Sequence, residues 1–225
     1  AQRLIAYIGA ATQSSAPTTA HWEMIWDETY RHGGASETAG WISSYTGDPI
    51  PEAQMREWIE CTAKRIQRLR PRRVLEVGCG TGMVLFRIAP GCELYHGIDL
   101  STAALAQVRA EADRRGLAGV VLEQRAADAL AALKGGPFDT IVINSVAQYF
   151  PGVEYLMDVL ASAVERLAPG GAIFVGDVRN RALLEMKLCE IELQKASPDA
   201  PAGELQARLR KRLYEESELV LDPNL

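Results

Sequence analysis

The sequence predicts an α/β fold built on a doubly wound, mostly parallel sheet, and three observations carry that prediction. From residue 72 onward, short apolar runs of strand length alternate with stretches of helical spacing, the order that yields a parallel sheet covered on both faces. The run from Phe138 to Asn144 is almost unbroken in its apolar character, as a strand buried on both faces requires. A loop with three alternating glycines, Gly78, Gly80 and Gly82, directly follows the first run, where sheets of this type bind their ligands.

Composition agrees with a folded enzyme-sized unit. The 225 residues are 48% hydrophobic and 24% charged, values of an ordinary globular chain with enough length for a full core. A count of 24 Lys and Arg against 29 Asp and Glu gives a net charge of -5, with no basic run. Nucleic-acid binding is therefore disfavoured, and nothing suggests a membrane partner. Cys61, Cys79, Cys92 and Cys189 include no C-x-x-C pair and, with scattered histidines, match no metal spacing. We expect no metal and read the cysteines as buried thiols of a cytoplasmic protein.

The elements follow in order. An apolar stretch at residues 4–11 is short for a signal core and reads as an amphipathic helix, followed by a small-polar linker over 12–20. An aromatic-rich segment leads to Pro51, after which Met55, Trp58, Ile59, Thr62, Ile66 and Leu69 keep helical spacing until Pro71. These features divide the chain into an N-terminal helical lid and linker, 1–71, and a core domain, 72–225. In the core, Val74 to Val77 is the first strand, 81–89 a helix, and Leu94 to Ile98 the second strand. Ser101 caps a helix that ends at Gly116, and Val120 to Leu122 is the third strand.

A short Ala-Leu helix precedes the fourth strand, Phe138 to Asn144. Pro151 opens the next helix, Pro169, Gly170 and Gly171 form a turn, and Ala172 to Val175 is the fifth strand. Two helical stretches, 181–196 and 204–218, then flank a Pro-rich break, and residues 219–225 read as a lead-in to further chain.

Three acids stand at the predicted strand ends. Asp99 can accept hydrogen bonds from two ribose hydroxyls, and Asp128 can accept from an exocyclic amine such as that of adenine. Glu76 sits beside the glycine loop, where its charge repels phosphate and attracts an amino group or sulfonium. The spacing also puts Met83 where a dinucleotide loop needs its third glycine, which disfavours NAD. The ligand implied is a positively charged nucleoside.

The segments Glu76 to Gly82, Asp99, Asp128, Phe138 to Asn144 and Leu167 to Gly171 resemble the class I S-adenosylmethionine-dependent methyltransferases over about 72–178. More narrowly, 40–47, 49–51, 55–58, 85–90, 144–151 and 176–180 resemble methyltransferase domains embedded in modular polyketide synthases and nonribosomal peptide synthetases. The resemblance implies a Rossmann-like core with S-adenosylmethionine as cofactor. It implies that Gly78, Gly80 and Gly82 line the methionine and ribose, that Asp99 holds the ribose diol, and that Leu100 also belongs to the cofactor site. Asp128 and Ala129 would then meet the adenine, Glu76 would orient the amino group, and Asn144 would border the cofactor. Tyr30, Trp41 and Tyr45 would belong to the lid. A family of this kind has seven strands, so the five predicted here imply that C-terminal strands are missing.

Methyl transfer needs alignment and exclusion of water, and a base only where the acceptor is poorly nucleophilic. Asp177 and His32 are the titratable candidates, with Asn144, Gln148 and Tyr149 positioning the acceptor. Two candidate bases favour O-methylation of a hydroxyl on a carrier-tethered polyketide; the alternative is N-methylation of a carrier-tethered aminoacyl group. C-methylation and a non-catalytic cofactor-binding module rank below these. The expected partners are an acyl or peptidyl carrier domain with a phosphopantetheine arm and neighbouring synthase domains.

Overall fold

In the computed structural model of the protein, residues 19–32 and 41–225 are described, excepting the side chains of 19–21, 23 and 32. Five parallel strands form the sheet: β1 (Arg73–Val77), β2 (Leu94–Asp99), β3 (Val120–Gln124), β4 (Phe138–Asn144) and β5 (Leu167–Gly176), in the order β3-β2-β1-β4-β5. Strand order reverses between β1 and β4, so their exit loops diverge and leave a crevice at the carboxyl ends.

Side chains alternate between the two faces of the sheet, and each face carries its own core. On one face Val74, Tyr95 and Val142 pack with Ile59, Ala63 and Ile66 of α2 (Glu52–Gln67) and with Val108 and Ala112 of α4 (Thr102–Arg114). On the other, Leu75, Ile98, Ile141 and Ile143 pack with Leu156, Val159 and Ala163 of α5 (Val153–Val164). The apolar reading of β4 is explained: Ile141, Val142 and Ile143 are fully buried. The segment expected as lid thus holds two different parts, because α1 (Thr19–His32) lies over the crevice side while α2 belongs to the core packing.

The cap at Ser101 forms as expected, its Oγ accepting from the Ala104 N–H at 3.1 Å. The helix expected over 81–89 is shorter. Only α3 (Leu85–Ile88) is α-helical, because the loop holds the chain in turns up to Val84 and Pro90 follows. The turn expected at 169–171 is instead part of β5, whose pairing with β4 shifts register between Phe138 and Thr140.

Beyond β5, the strand β6 (Arg179–Asn180) leads into α6 (Arg181–Lys195) and α7 (Ala202–Glu215), and β7 (Val220–Leu221) returns to pair with β6 in parallel. The stretch read as a lead-in is therefore tied back, with Leu219 and Leu221 packed against the core. Among the described residues β5 pairs only with β4, and Val175 on it is exposed. Cys79 is buried, Cys92 and Cys189 are half-buried, and Cys61 is exposed on α2, so the reading of four buried thiols is corrected at Cys61. Among the described residues no helix is long and apolar enough to cross a membrane.

Candidate functional site

A cavity of about 790 Å³ opens at the carboxyl ends of β1, β2, β4 and β5, beneath α1 and beside α6. Its floor is the glycine loop. Gly78 has φ +71, and a Cβ there would stand 2.3 Å from Cγ2 of Val146, so only glycine lets the exit loops of β1 and β4 touch. A Cβ at Gly80 would stand 3.1 Å from the Tyr30 hydroxyl, which shows how closely α1 approaches the loop.

Two acids point into this floor from neighbouring strands. Asp99 accepts from the Gly80 N–H at 2.7 Å and the Ser101 N–H at 2.9 Å. Burial raises its pKa, and the backbone N–H groups of Ser101, Gly80 and Leu100 oppose that rise. An ionised carboxylate has about four lone-pair positions, so these two bonds leave capacity for two further donors, as a vicinal diol supplies. Glu76 is 3% exposed and accepts from the Tyr95 hydroxyl at 3.0 Å. Burial pushes its pKa up to about 8, with the Tyr95 hydrogen bond opposing and the Asp99 charge adding to the rise. Among the described residues no cation pairs with it. A buried carboxylate on a cavity wall without a counter-charge suits a ligand that brings its own positive group.

The roof is aromatic. Tyr149, on the turn after β4, packs against Trp22 at 4.7 Å and Trp26 at 5.1 Å between ring centroids, and Trp26 stacks on Tyr30 at 5.6 Å. Trp41 meets Trp58 of α2 at 4.7 Å. Asp27 holds α1 in place. Its Oδ1 accepts from Ser101 Oγ at 2.7 Å and from the Ala103 N–H at 3.1 Å, a carboxylate at the N-terminus of α4. Hydrogen bonds to Ser101 and Ala103 accordingly hold its pKa below the usual value. Asp27→Ala is expected to speed hydrogen exchange across α1 and the first turn of α4 and to weaken cofactor binding several-fold; unchanged exchange would show that the aromatic contacts alone hold the helix.

At the β4 and β5 side, three polar residues form a chain. Asn144 Nδ2 donates to Ser145 Oγ at 3.0 Å, and Ser145 Oγ donates to Asp177 Oδ2 at 2.8 Å. Ser145 and Asp177 both have left-handed backbone, with φ 59 and 55, a costly conformation for residues with side chains. Arg179 does not pair with Asp177 but binds Glu216 at 2.8 Å and Glu218 at 2.9 Å. Asp177 is exposed and lines the cavity. Leu183, Met186 and Lys187 of α6 extend this wall.

The structure brings together Glu76, Gly78, Gly80, Asp99, Leu100, Asn144, Gln148, Tyr149, Asp177, Tyr30 and Trp41 around one cavity. Four of the residues expected at the site, Gly82, Asp128, Ala129 and Tyr45, do not line this cavity. Gly82 lies behind the loop, where a Cβ would meet Phe86 and Val108, so it serves helix packing. Asp128 and Ala129 fall on a 3-10 turn, Ala127–Ala132, that turns Asp128 out to solvent and leaves Arg125 and Ala127 as the wall. The Tyr45 hydroxyl donates to Glu190 at 3.0 Å and does not line the cavity. His32 ends α1, and its side chain lies outside the described residues. Residues that the sequence did not single out are Trp22, Trp26, Asp27 and Ser145; only the clustering of aromatics over 22–30 hinted at the first two.

Comparison with known proteins places this geometry. Residues 75–173 match the model of a methyltransferase domain. The chain is 40% identical over 233 residues to the chondramide synthase cmdD of Chondromyces crocatus, covering 99% of this chain and 6% of that protein. It is 34% identical over 187 residues to the nonribosomal peptide synthetase penN of Penicillium thymicola, covering 82% of this chain and 7% of that protein. The chain thus spans only a small part of these relatives. Among solved structures, the N-methyltransferase NodS of Bradyrhizobium japonicum in complex with S-adenosyl-L-homocysteine has the same fold, with a TM-score of 0.54, 18% identity and coverage of 83% of this chain and 85% of that one.

Proposed function

The chain belongs to the S-adenosylmethionine-dependent methyltransferases, of the kind embedded in nonribosomal peptide synthetases, and from this premise we propose that it N-methylates a carrier-tethered aminoacyl group. One observation carries the choice of acceptor: the relatives include nonribosomal peptide synthetases, whose building blocks are amino acids. O-methylation of a polyketide hydroxyl, which two candidate bases suggested, loses ground because several of the relatives are nonribosomal peptide synthetases.

The residues fit the cofactor: Asp99 offers acceptors for the ribose diol, Glu76 a carboxylate for the amino group, and Gly78 a floor without side chains. The cofactor supplies a methyl group on a sulfonium carbon, an electrophile with a good leaving group. The protein then aligns the acceptor, and Trp26, Tyr30 and Tyr149 exclude water from above. A neutral amine brings its own lone pair, so the Asp177 carboxylate serves to take up the proton that the nitrogen sheds. The acceptor reaches this site on a phosphopantetheine arm of a carrier domain, past the apolar side chains of α6.

Mass spectrometry of carrier proteins loaded with alanyl or lactyl groups, after incubation with the full chain and cofactor, tests the proposal. The mass of one methyl group is expected on the alanyl carrier; methylation of the lactyl carrier alone would restore the O-methyl reading. Asp177→Asn is expected to lower kcat about 100-fold with cofactor affinity retained, and an unchanged kcat would remove Asp177 from the chemistry.

A further inference from the structure

The cavity has an apolar lobe apart from the acids and glycines of its floor. Segment 41–50 folds back on itself: the Ser43 N–H donates to the Asp48 carbonyl at 2.8 Å, the Gly47 N–H to the Ser43 carbonyl at 2.9 Å and the Ile50 N–H to the Trp41 carbonyl at 3.0 Å. That closure brings Trp41 and Ile42 back beside Ile50, and Trp58 of α2 meets Trp41 with the rings tilted by 50°. Every residue between 41 and 59 that lines the cavity is apolar: Trp41, Ile42, Ile50, Trp58 and Ile59. Trp41, Ile50 and Trp58 are half-buried and Ile42 is 59% exposed, so this wall offers open surface to whatever enters. Helix α6 fixes where the wall stands. The Tyr45 hydroxyl donates to Glu190 at 3.0 Å and Lys195 Nζ to the Ser44 carbonyl at 2.8 Å, which pins 41–50 against the helix that follows Asp177 and β6. The lobe therefore lies with Asp177 toward the β5 end of the sheet, whereas Asp99 and Arg125 stand at the ends of β2 and β3.

Apolar surface held open inside a site is unfavourable in water and becomes favourable once an apolar group covers it. A phosphopantetheine arm fits this lobe poorly. Its amide N–H groups would be buried among side chains that hold no acceptor, and the Trp41 carbonyl is already taken by the Ile50 N–H. We propose that the lobe takes the side chain of the tethered amino acid, and that this acceptor is a large apolar residue, aromatic or branched. The inference rests on the amine-acceptor reading above and adds to it the class of amino acid that is methylated. The arm enters past Leu183 and Met186, which are 50% and 65% exposed on α6, the amine stands by Asp177, and the side chain fills the space between Trp41, Ile50 and Trp58. Because the backbone hydrogen bonds of 41–50 form the wall before any substrate arrives, little ordering opposes binding, and the buried apolar area goes into discrimination.

The test measures kcat and KM of the full wild-type chain on carrier proteins loaded with phenylalanyl, leucyl, alanyl and aspartyl groups, the last because Lys187 lines the same cavity. The phenylalanyl or leucyl carrier is expected to exceed the alanyl carrier in kcat/KM by about 10-fold or more, mostly through KM, with the aspartyl carrier poorest. Ile50→Asp, which puts a charge into the lobe, is expected to lose most of that preference through a higher KM for the large apolar substrates. Ile50→Leu, which keeps the apolar volume, is expected to retain it. Calorimetry with S-adenosylmethionine shows that each variant is folded. A wild-type chain that favours the alanyl or aspartyl carrier overturns the inference whatever the variants do, as does an Ile50→Asp chain that binds cofactor and keeps wild-type discrimination. Lactyl and phenyllactyl carriers separate this inference from the reading beneath it. Methylation of hydroxyacyl carriers alone removes the amine acceptor, whereas methylation of aminoacyl carriers regardless of side chain removes only the role of the lobe.

Discussion

Asp99→Ala is expected to weaken S-adenosylmethionine binding by about 100-fold or more, measured by calorimetry. Hydrogen bonds to a charged group contribute roughly 1.5–3 kcal/mol each, and the substitution removes both that the ribose diol can donate. It also strips the Gly80 and Ser101 N–H groups of their acceptor, which loosens the glycine loop at the second of its three glycines. Asp99→Asn separates the two effects. Its one remaining carbonyl oxygen can hold a single backbone N–H, so it is expected to recover part of the loop order, seen as hydrogen-exchange protection at Gly80, with less recovery of affinity. Equal affinity for wild type and Asp99→Ala would mean that the cofactor does not sit over this residue and would remove the central premise of the site.

Glu76 sets the second large effect, a pH dependence of cofactor binding. With its pKa raised to about 8 by burial, Glu76 is mostly protonated at pH 6 and must lose its proton to pair with the cofactor's ammonium. Affinity is therefore expected to rise about tenfold per unit of pH from 6 toward 8, with one proton released per complex. Above pH 8 the gain ends, because Glu76 is ionised and the cofactor's α-amino group, with a pKa of about 7.7–8.0, loses its own charge. Glu76→Gln is expected to bind more weakly at pH 8 and to show no rise between pH 6 and 8. Calorimetry in buffers of different ionisation enthalpy counts the proton directly; no proton release in wild type at pH 7 would contradict the account.

The free protein has the opposite sign. A carboxyl whose folded pKa exceeds its ordinary value of 4.5 favours the folded state while protonated. That stability is fully present below pH 4.5 and is lost as pH rises toward about 8. Thermal melts of the ligand-free chain should fall over this window, and added cofactor should reverse the trend at its upper end.

Two further features of the site depend on each other. Asp177 holds its place through Ser145, whose left-handed backbone brings Oγ within 2.8 Å of the carboxylate. Asp177 makes no ion pair with the neighbouring Arg179, because Glu216 and Glu218, just after α7, take the guanidinium. Among the described residues Asp177 therefore lines the cavity without an ion pair to Arg179.

The sequence by itself determined the sheet, its parallel sense and the floor of the site. Apolar runs of strand length and helical spacings are local, periodic signals, and Glu76, Gly78, Gly80 and Asp99 stand at fixed offsets from the strands that carry them. The tertiary structure alone decided what stands above that floor. Trp22, Trp26 and Asp27 close over α4 and the β4 exit loop from at least 74 positions away in the chain, and no period in their own segment specifies the partner. The turn that exposes Asp128, the two-residue pairing of β6 with β7 and the left-handed pair Ser145 and Asp177 are likewise too short to have a repeat. The apolar lobe belongs to the same class, because Trp41, Ile42 and Ile50 become a wall of the cavity only where 41–50 is pinned against α6.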